Sequence, residues 1–170
     1  KSRSLLAQKI GADSREIFFT QNTSMGLNFI AQALELQRGD QIIISDMEFP
    51  SNVYPWMNLQ DKGVELTLVP TKSGHIDPLI LENAITPHTK VISISWVIAA
   101  NGSVTDIRRI GEICRSYNII YVIDGIQGLG QIPIQVKECG CDFFVSGFFK
   151  WMMSPDGIGF VYMRYGLLEK

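Results

Sequence analysis

The chain has 170 residues, of which 46% are hydrophobic, enough to build one domain with a full core. Its formal net charge is −2 and it has no basic cluster, so a nucleic-acid partner is not expected. It has no apolar run of about 18 residues for a membrane span, and its three cysteines lack the spacing of a disulfide framework. We expect a reduced, cytoplasmic protein.

Apolar, strand-like runs alternate with amphipathic helical stretches along the chain. The pattern predicts seven strands, at residues 16–20, 41–45, 64–69, 90–96, 119–123, 142–146 and 158–163. It predicts helices at the N-terminus (with Leu5, Leu6 and Ile10 on one face), from Asp77, and at residues 23–36, 52–61 and 106–117. Strands without a polar face, separated by helices, are typical of a mostly parallel sheet covered on both sides. The predicted fold class is therefore α/β, with three layers in the order α/β/α.

In such sheets a ligand lies beyond the carboxyl ends of the strands, and this rule selects five loops. They are residues 20–26, 48–52, 96–102, 124–130 and 146–150. Most of the unusual residues of the chain fall in these loops, so we expect a site at this edge of the sheet.

Two ionisable residues in these loops are candidates for chemistry. Asp124 ends an apolar strand and precedes a glycine-rich turn that can approach a ligand closely; the alternative is an ordinary turn or capping aspartate. Lys150 lies between Phe149 and Trp151, and an amine in an apolar pocket has the lowered pKa that Schiff-base chemistry requires. The alternative is a lysine whose stem covers aromatic surface.

Two further loops could bind the rest of a ligand. Residues 20–26 lead into a helix whose N-terminus is a ready anion site, and N-capping by Thr23 or Ser24 is a compatible alternative. Phe49 could stack on a flat ring or simply pack against protein. Together, the four features supply what pyridoxal 5′-phosphate (PLP) needs: an anion cradle, a stacking ring, a carboxylate for the ring nitrogen and a lysine for the aldehyde.

The chain resembles the class V aminotransferase family of fold-type I PLP-dependent transferases, which includes cysteine desulfurases and isopenicillin-N-epimerase-like proteins. The resemblance is carried, in chain order, by FFTQNTSMGLNFIA, GDQIIISDMEFPSNVYPW, ISWVIAANGSVTDIRRIGEIC, VIDGIQGLGQIPIQV and CDFFVSGFFKWMMSPDGIGFVYMR. It implies that residues 1–170 are the PLP-binding large domain, without the N-terminal segment and C-terminal small domain that relatives usually carry. It also implies a small amino-acid substrate and a homodimer for the full-length protein.

The resemblance also implies three catalytic roles. Lys150 matches the Schiff-base lysine, and Asp124 matches the aspartate that pairs with the pyridine nitrogen of the cofactor. Gln127 matches the residue that hydrogen-bonds the phenolic oxygen of the cofactor.

The remaining cofactor contacts follow from the same resemblance. Thr23 and Ser24 match the phosphate-binding pair, and Met25 adds its backbone N–H. Phe49 stands where the desulfurases have a ring-stacking histidine, and a phenyl ring cannot relay protons, which favours an aminotransferase over a desulfurase. Gly147 stands three residues before the lysine, where relatives often have a serine, and counts among the cofactor-binding residues.

The leading expectation is thus a PLP-dependent enzyme of the class V aminotransferase type, with desulfurase-, selenocysteine-lyase- or epimerase-like chemistry as alternatives. A second alternative is a Rossmann-like nucleotide-binding module, although residues 125–130 lack its G-x-G-x-x-G spacing. A third is a catalytically dead fragment that binds PLP poorly. Cys114, Cys139 and Cys141 match neither a metal site nor the loop cysteine of desulfurases.

Overall fold

A computed structural model describes residues 1–167 of the chain. Seven strands form one sheet in the order β1-β7-β6-β5-β4-β2-β3. The strands are β1 (Ile17–Thr20), β2 (Gln41–Ser45), β3 (Glu65–Val69), β4 (Thr89–Ser95), β5 (Ile120–Asp124), β6 (Phe143–Gly147) and β7 (Gly159–Met163). Each lies within one residue of its predicted bounds, because an apolar run between turn residues marks a buried strand clearly.

The sheet is mostly parallel, as predicted. β3, β2, β4, β5 and β6 pair in parallel, whereas β7 is antiparallel to both of its neighbours, β6 and β1. The carboxyl ends of β2, β4, β5 and β6 therefore point to one edge of the sheet, and the loops that follow them can form one site.

Helices lie between the strands: α1 (Ser2–Ile10), α2 (Thr23–Ala33), α3 (Tyr54–Met57), α4 (Pro78–Asn83), α5 (Ile107–Ser116) and α6 (Val136–Cys139). None of the helices in residues 1–167 is long and apolar enough to cross a membrane. The short helix α6 was not predicted, since four residues show no period.

Two predictions about helices were wrong. The helix expected at residues 52–61 is broken into the 3-10 turn Pro50–Asn52, the short helix α3 and the 3-10 turn Gln60–Lys62. Prolines lack the N–H that a helix interior needs and sit at the first turn of the first two pieces. In α1, Leu5 is exposed, and the buried face is formed by Leu6, Ala7 and Ile10 instead.

Two apolar clusters cover the two faces of the sheet. Ile43, Ile94 and Ile123 pack in the cluster that includes α1 and α5, and their neighbours Ile42 and Val122 pack in the cluster that includes α2 and α3. Side chains alternate between the faces along each strand, so a strand covered on both sides must be apolar throughout. Burial contributes roughly 1.5–3 kcal/mol for each such side chain. The predicted three-layer α/β/α fold is confirmed.

Candidate active site

Asp124 is the last residue of β5, and it lies beside Ser95 of β4 and Val145 of β6 in the sheet register. It is only 2% exposed. One carboxylate oxygen, Oδ1, accepts a hydrogen bond from the Ile126 N–H at 3.0 Å. The other, Oδ2, is buried without any hydrogen-bond partner among residues 1–167. A buried oxygen of this kind costs free energy unless a ligand provides a donor.

The electrostatics of Asp124 fit a cationic partner. Burial raises the pKa of Asp124 from an ordinary value of 3.8 to about 7, the Ile126 N–H lowers it, and the negative charge of Glu48 raises it further. The positive charge of Lys150 lowers it. A protonated ring nitrogen would give Oδ2 a donor and the carboxylate a counter-charge, so this position fits the pyridine nitrogen of PLP.

Lys150 lies at the same edge of the sheet as Phe49, although about a hundred residues separate them in the chain. The Lys150 Nζ is 5.6 Å from the centroid of the Phe49 ring, within the range of a cation–π contact. Phe49 is 50% exposed, so about half of the residue remains accessible to a ligand. The structure therefore brings together the amine, the aromatic ring and the carboxylate that were singled out in the sequence.

The glycines of the turn after Asp124 lie close to other protein atoms. The sequence had instead predicted that they allow a close approach to a ligand. A Cβ on Gly128 would lie 2.3 Å from the Trp96 ring, and one on Gly130 would lie 2.6 Å from the Trp151 carbonyl oxygen. Gly130 also has a φ of 100°, a conformation that favours glycine. Gly130 therefore lets the turn pack directly against the segment that carries Lys150, and Gly128 lets it pack against Trp96 at the end of β4.

The side chain of Gln127 is oriented by that same segment. The Trp151 Nε1–H donates to the Gln127 Oε1 at 3.3 Å. With its oxygen engaged, the amide presents its NH₂ group as a donor, which is the group that a phenolic oxygen requires.

The N-terminus of α2 is capped by Asn22, and the prediction of Thr23 or Ser24 as the cap was wrong. The Asn22 Oδ1 accepts from the Met25 N–H at 2.8 Å, so this N–H is already paired. Thr23 is 3% exposed, and its Oγ1 accepts from the Gly147 N–H at 2.8 Å, whereas Ser24 is exposed. The N–H groups of the first turn have no partner within the helix, so Thr23 and Ser24 can still offer theirs to an anion.

Glu48 is a site residue that the sequence analysis did not single out. It directly precedes Phe49, and its carboxylate accepts hydrogen bonds from Ser45, Asn52 and Ser95. The sequence did contain one signal for Glu48, since it is a carboxylate directly before the candidate stacking ring, in a loop at the carboxyl edge of the sheet. The donors that surround it could not be inferred, since Ser95 lies 47 residues further along the chain.

The three cysteines offer no reactive thiolate. All three are buried, and burial raises the pKa of Cys139 to about 11 and shifts the pKa of Cys114 and Cys141 upward as well. A thiol becomes nucleophilic only when it ionises, so these side chains serve the core. Within residues 1–167, no cluster of three or more His, Cys, Asp or Glu side chains could hold a metal ion.

A model of the family described as Aminotransferase class-V matches residues 1–170. The chain belongs to the class-V aminotransferase family. It is 37% identical to a probable cysteine desulfurase of Borreliella burgdorferi, over 100% of this chain and 42% of that protein. It is 32% identical to a probable cysteine desulfurase of Methanothermobacter thermautotrophicus, over 95% of this chain and 41% of that protein.

Solved structures agree with this class-V assignment. The cysteine desulfurase of Thermococcus onnurineus NA1, in its apo form, has a TM-score of 0.94 and 31% identity, covering 99% of this chain and 43% of that one. A C-DES mutant with glycine covalently linked to the PLP cofactor has a TM-score of 0.92, covering 98% and 46% of the two chains; at 22% identity it supports the fold alone.

Two predictions from the motifs are confirmed: the class-V resemblance and the fold of PLP-dependent transferases. Membership of the family supports PLP as the cofactor. The chain spans about two fifths of the length of the relatives it matches.

Proposed function

We propose that residues 1–170 form the PLP-binding large domain of an enzyme that acts on a small amino acid, with Lys150 as the residue that carries the cofactor. The observation that carries the proposal is the buried, unpartnered Oδ2 of Asp124, on which the charge of Lys150 acts. A buried acid and an amine at one sheet edge, beside a half-exposed aromatic ring, match the two ends of a pyridine ring.

Bound PLP supplies an electron sink that makes a carbanion at the α-carbon of an amino acid accessible. Asp124 would keep the ring nitrogen protonated by accepting its N–H, and its burial would strengthen that contact. Gln127 would donate to the phenolic oxygen, and Phe49 would stack on the ring. Lys150 would hold the aldehyde carbon, and its free amine would accept and return the proton at the substrate α-carbon.

The N-terminus of α2 would hold the phosphate. The Oγ1 of Thr23 already accepts from Gly147, so its hydroxyl hydrogen is left to donate to an anion. Ser24 contributes its exposed hydroxyl and N–H. Gly147 acts by fixing Thr23, and Met25 lies at the cradle with its N–H held by Asn22.

The leading reaction is of the class V aminotransferase type, and the second candidate is cysteine desulfuration. Phe49 lacks the ring nitrogen that could relay a proton to a leaving thiol, which supports the first. The names of the relatives support the second. The purified protein, given L-cysteine with a reductant, is tested for sulfide and alanine; given L-alanine with 2-oxoglutarate, it is tested for pyruvate. Alanine and sulfide without keto acid would decide for desulfuration.

The covalent role of Lys150 is tested by borohydride reduction of the PLP-treated protein, followed by peptide mass spectrometry. We expect one stable pyridoxyl adduct, on Lys150, and a yellow colour before reduction. Lys150→Ala should abolish both, whereas the exposed Lys137→Ala should retain both. An unlabelled Lys150 in a protein saturated with PLP would refute the proposal.

We also propose that the complete protein is a cytoplasmic homodimer. The buried, unpaired cysteines suit a reducing compartment. β1 leaves Phe18 and Phe19 about two fifths exposed, which suits coverage by another subunit. Sedimentation equilibrium measures the mass in solution, and a monomer at every concentration would contradict the dimer.

A further inference from the structure

The carboxylate of Glu48 ties together three elements around the turn that carries Phe49. It accepts from the Ser45 Oγ at 3.0 Å at the end of β2, and from the Asn52 Nδ2 at 2.8 Å in the 3-10 turn. It also accepts from the Ser95 N–H at 3.0 Å and the Ser95 Oγ at 2.5 Å at the end of β4. We call this group of Ser45, Glu48, Asn52 and Ser95 the Glu48 clamp.

The clamp holds the chain on both sides of Phe49. Glu48 precedes the phenylalanine, and Asn52 follows it and is fully buried. The Asn52 Oδ1 accepts from the Ser93 Oγ at 2.6 Å and from the Trp56 Nε1–H at 3.2 Å, which anchors the turn in the core. The Asn52 N–H donates to the Phe49 carbonyl at 2.8 Å. The backbone of Phe49 is thus fixed although its ring is half exposed.

The same clamp is anchored at the strand end that lies beside Asp124. Ser95 pairs with Asp124 in the sheet register, and the next N–H, that of Trp96, donates to the Asp124 carbonyl at 2.9 Å. The position of the Phe49 turn is therefore set relative to the position of Asp124 through one residue, Ser95. A flat ligand that stacks on Phe49 and hydrogen-bonds to Asp124 requires these two residues to keep a constant relative position.

An enclosed glutamate is energetically unfavourable for a residue whose only role is to hold a turn. Its carboxyl is largely enclosed, and burial raises its pKa against the hydrogen bonds, which lower it. Among residues 1–167 no cation forms an ion pair with it. An enclosed carboxylate without a counter-charge is destabilising, and such groups concentrate at functional sites.

We propose that Glu48 is a positioning residue that fixes the Phe49 ring, relative to Asp124, for stacking on the cofactor. This inference rests on the proposed PLP function. Glu48 acts mainly through Phe49, so most of the effect of removing the clamp should need the ring, whereas the loss of the Glu48 charge, which acts on Asp124, is the same with and without the ring. A merely structural role would weaken the protein equally with or without that ring.

A double-mutant cycle on the complete protein separates the two roles. PLP is titrated into cofactor-free wild type, Glu48→Ala, Phe49→Ala and the double variant, with visible circular dichroism as the second signal. We expect Glu48→Ala to weaken PLP binding about tenfold in the presence of Phe49, and less than about twofold in its absence. The dichroism of the bound cofactor should be reduced similarly by Glu48→Ala and Phe49→Ala.

Asp142→Asn is the matched control, because Asp142 is a buried, hydrogen-bonded carboxylate at the start of β6, the opposite end of the sheet. Asp142→Asn should lower the stability of the protein. Any effect that it has on PLP affinity should be the same with and without Phe49. Amide hydrogen exchange of the cofactor-free protein adds a readout independent of PLP: Glu48→Ala should speed exchange at Asn52 and Ser95. If Glu48→Ala does not fold, Ser45→Ala is put through the same cycle, with an expected two- to threefold effect that also needs Phe49.

The outcomes distinguish the inference from the function on which it rests. Wild type that takes up no PLP and gives no reducible adduct overturns both. If the wild type binds PLP but Glu48→Ala changes PLP affinity equally with and without Phe49, or does not change it, the role of Glu48 alone is overturned. Coupling between Glu48 and Phe49, absent for Asp142, supports it.

Discussion

At the scale of single residues, the site combines groups that are unfavourable for stability. One carboxylate oxygen of Asp124 is buried without a hydrogen-bond donor, and the carboxylate of Glu48, which is also largely enclosed by protein, acts on it electrostatically. Asp142, another buried carboxylate, instead has Arg164 at 2.8 Å and the Tyr121 N–H at 2.9 Å. The contrast locates the strain at the carboxyl edge, where a ligand could relieve it.

Asp124→Asn should therefore stabilise the cofactor-free protein, and more so at higher pH. The pKa of Asp124 is about 7 when folded and near 3.8 when unfolded, so the folded state binds the proton more tightly. The stability that this proton contributes is complete below the unfolded pKa and is lost as pH rises through the folded pKa. Urea unfolding measures how much the free energy of unfolding of Asp124→Asn exceeds that of the wild type. This difference should be larger by about 2 kcal/mol at about pH 8 than at about pH 5. A gain independent of pH would contradict the raised pKa.

At the scale of elements, buried strands were predictable and local geometry was not. Each strand was located to within one residue. Strands β2 and β6 are buried along their whole length, which favours a near-continuous apolar run, whereas the partly exposed edge strands β1 and β3 were marked by the turn residues that flank them. The cap of α2 was misassigned because Asn22, Thr23 and Ser24 are all capping residue types, and only backbone conformation selects among them. The glycines after Asp124 were predicted to face a ligand because their true neighbours, such as Trp151, are distant in sequence.

The placement of Asp124, Lys150 and Phe49 at one edge was predictable, because they lie at or beyond the ends of strands whose carboxyl ends share that edge. The Glu48 clamp was not predictable, since hydrogen bonds between separate loops leave no periodic signal in the sequence.

The contact between the glycine-rich turn and the Lys150 segment predicts a sensitive position. Gly130→Ala adds a Cβ at 2.6 Å from the Trp151 carbonyl oxygen, in a backbone conformation with φ of 100°. We expect a loss of about 2–4 kcal/mol in the free energy of unfolding, with a lower yield of the Lys150 adduct. Gly39→Ala is the control, because φ is 88° and the added Cβ would have nothing within 4 Å. It should cost about 1 kcal/mol and leave the adduct unchanged; equal losses would show that the clash is relieved.

At the scale of the whole molecule, one edge of a packed sheet carries a buried carboxylate oxygen that has no hydrogen-bond partner among residues 1–167. Two apolar clusters hold the sheet from both sides. The loops at the carboxyl edge hold the amine, the ring and the unpartnered carboxylate, and they also contribute Trp96, Ile98 and Leu129 to one of these clusters. A ligand at this edge would therefore bind to loops that the core already holds in place, and it could stabilise the protein without a rearrangement of the sheet.

The edge groups together predict that PLP raises the melting temperature of the complete protein, and that the increase is smaller when one of the groups it contacts is removed. At a concentration of about 100 times the dissociation constant, mass action adds about 2.7 kcal/mol, a shift of several degrees. Lys150→Ala should retain a reduced shift, since Asp124 and the phosphate cradle remain, whereas Asp124→Asn should raise the baseline and diminish the shift. Inorganic phosphate alone should give a smaller shift that Ser24→Ala removes. Differential scanning calorimetry measures these five shifts, and an equal PLP shift in wild type and Asp124→Asn would show that Oδ2 is not where the cofactor binds.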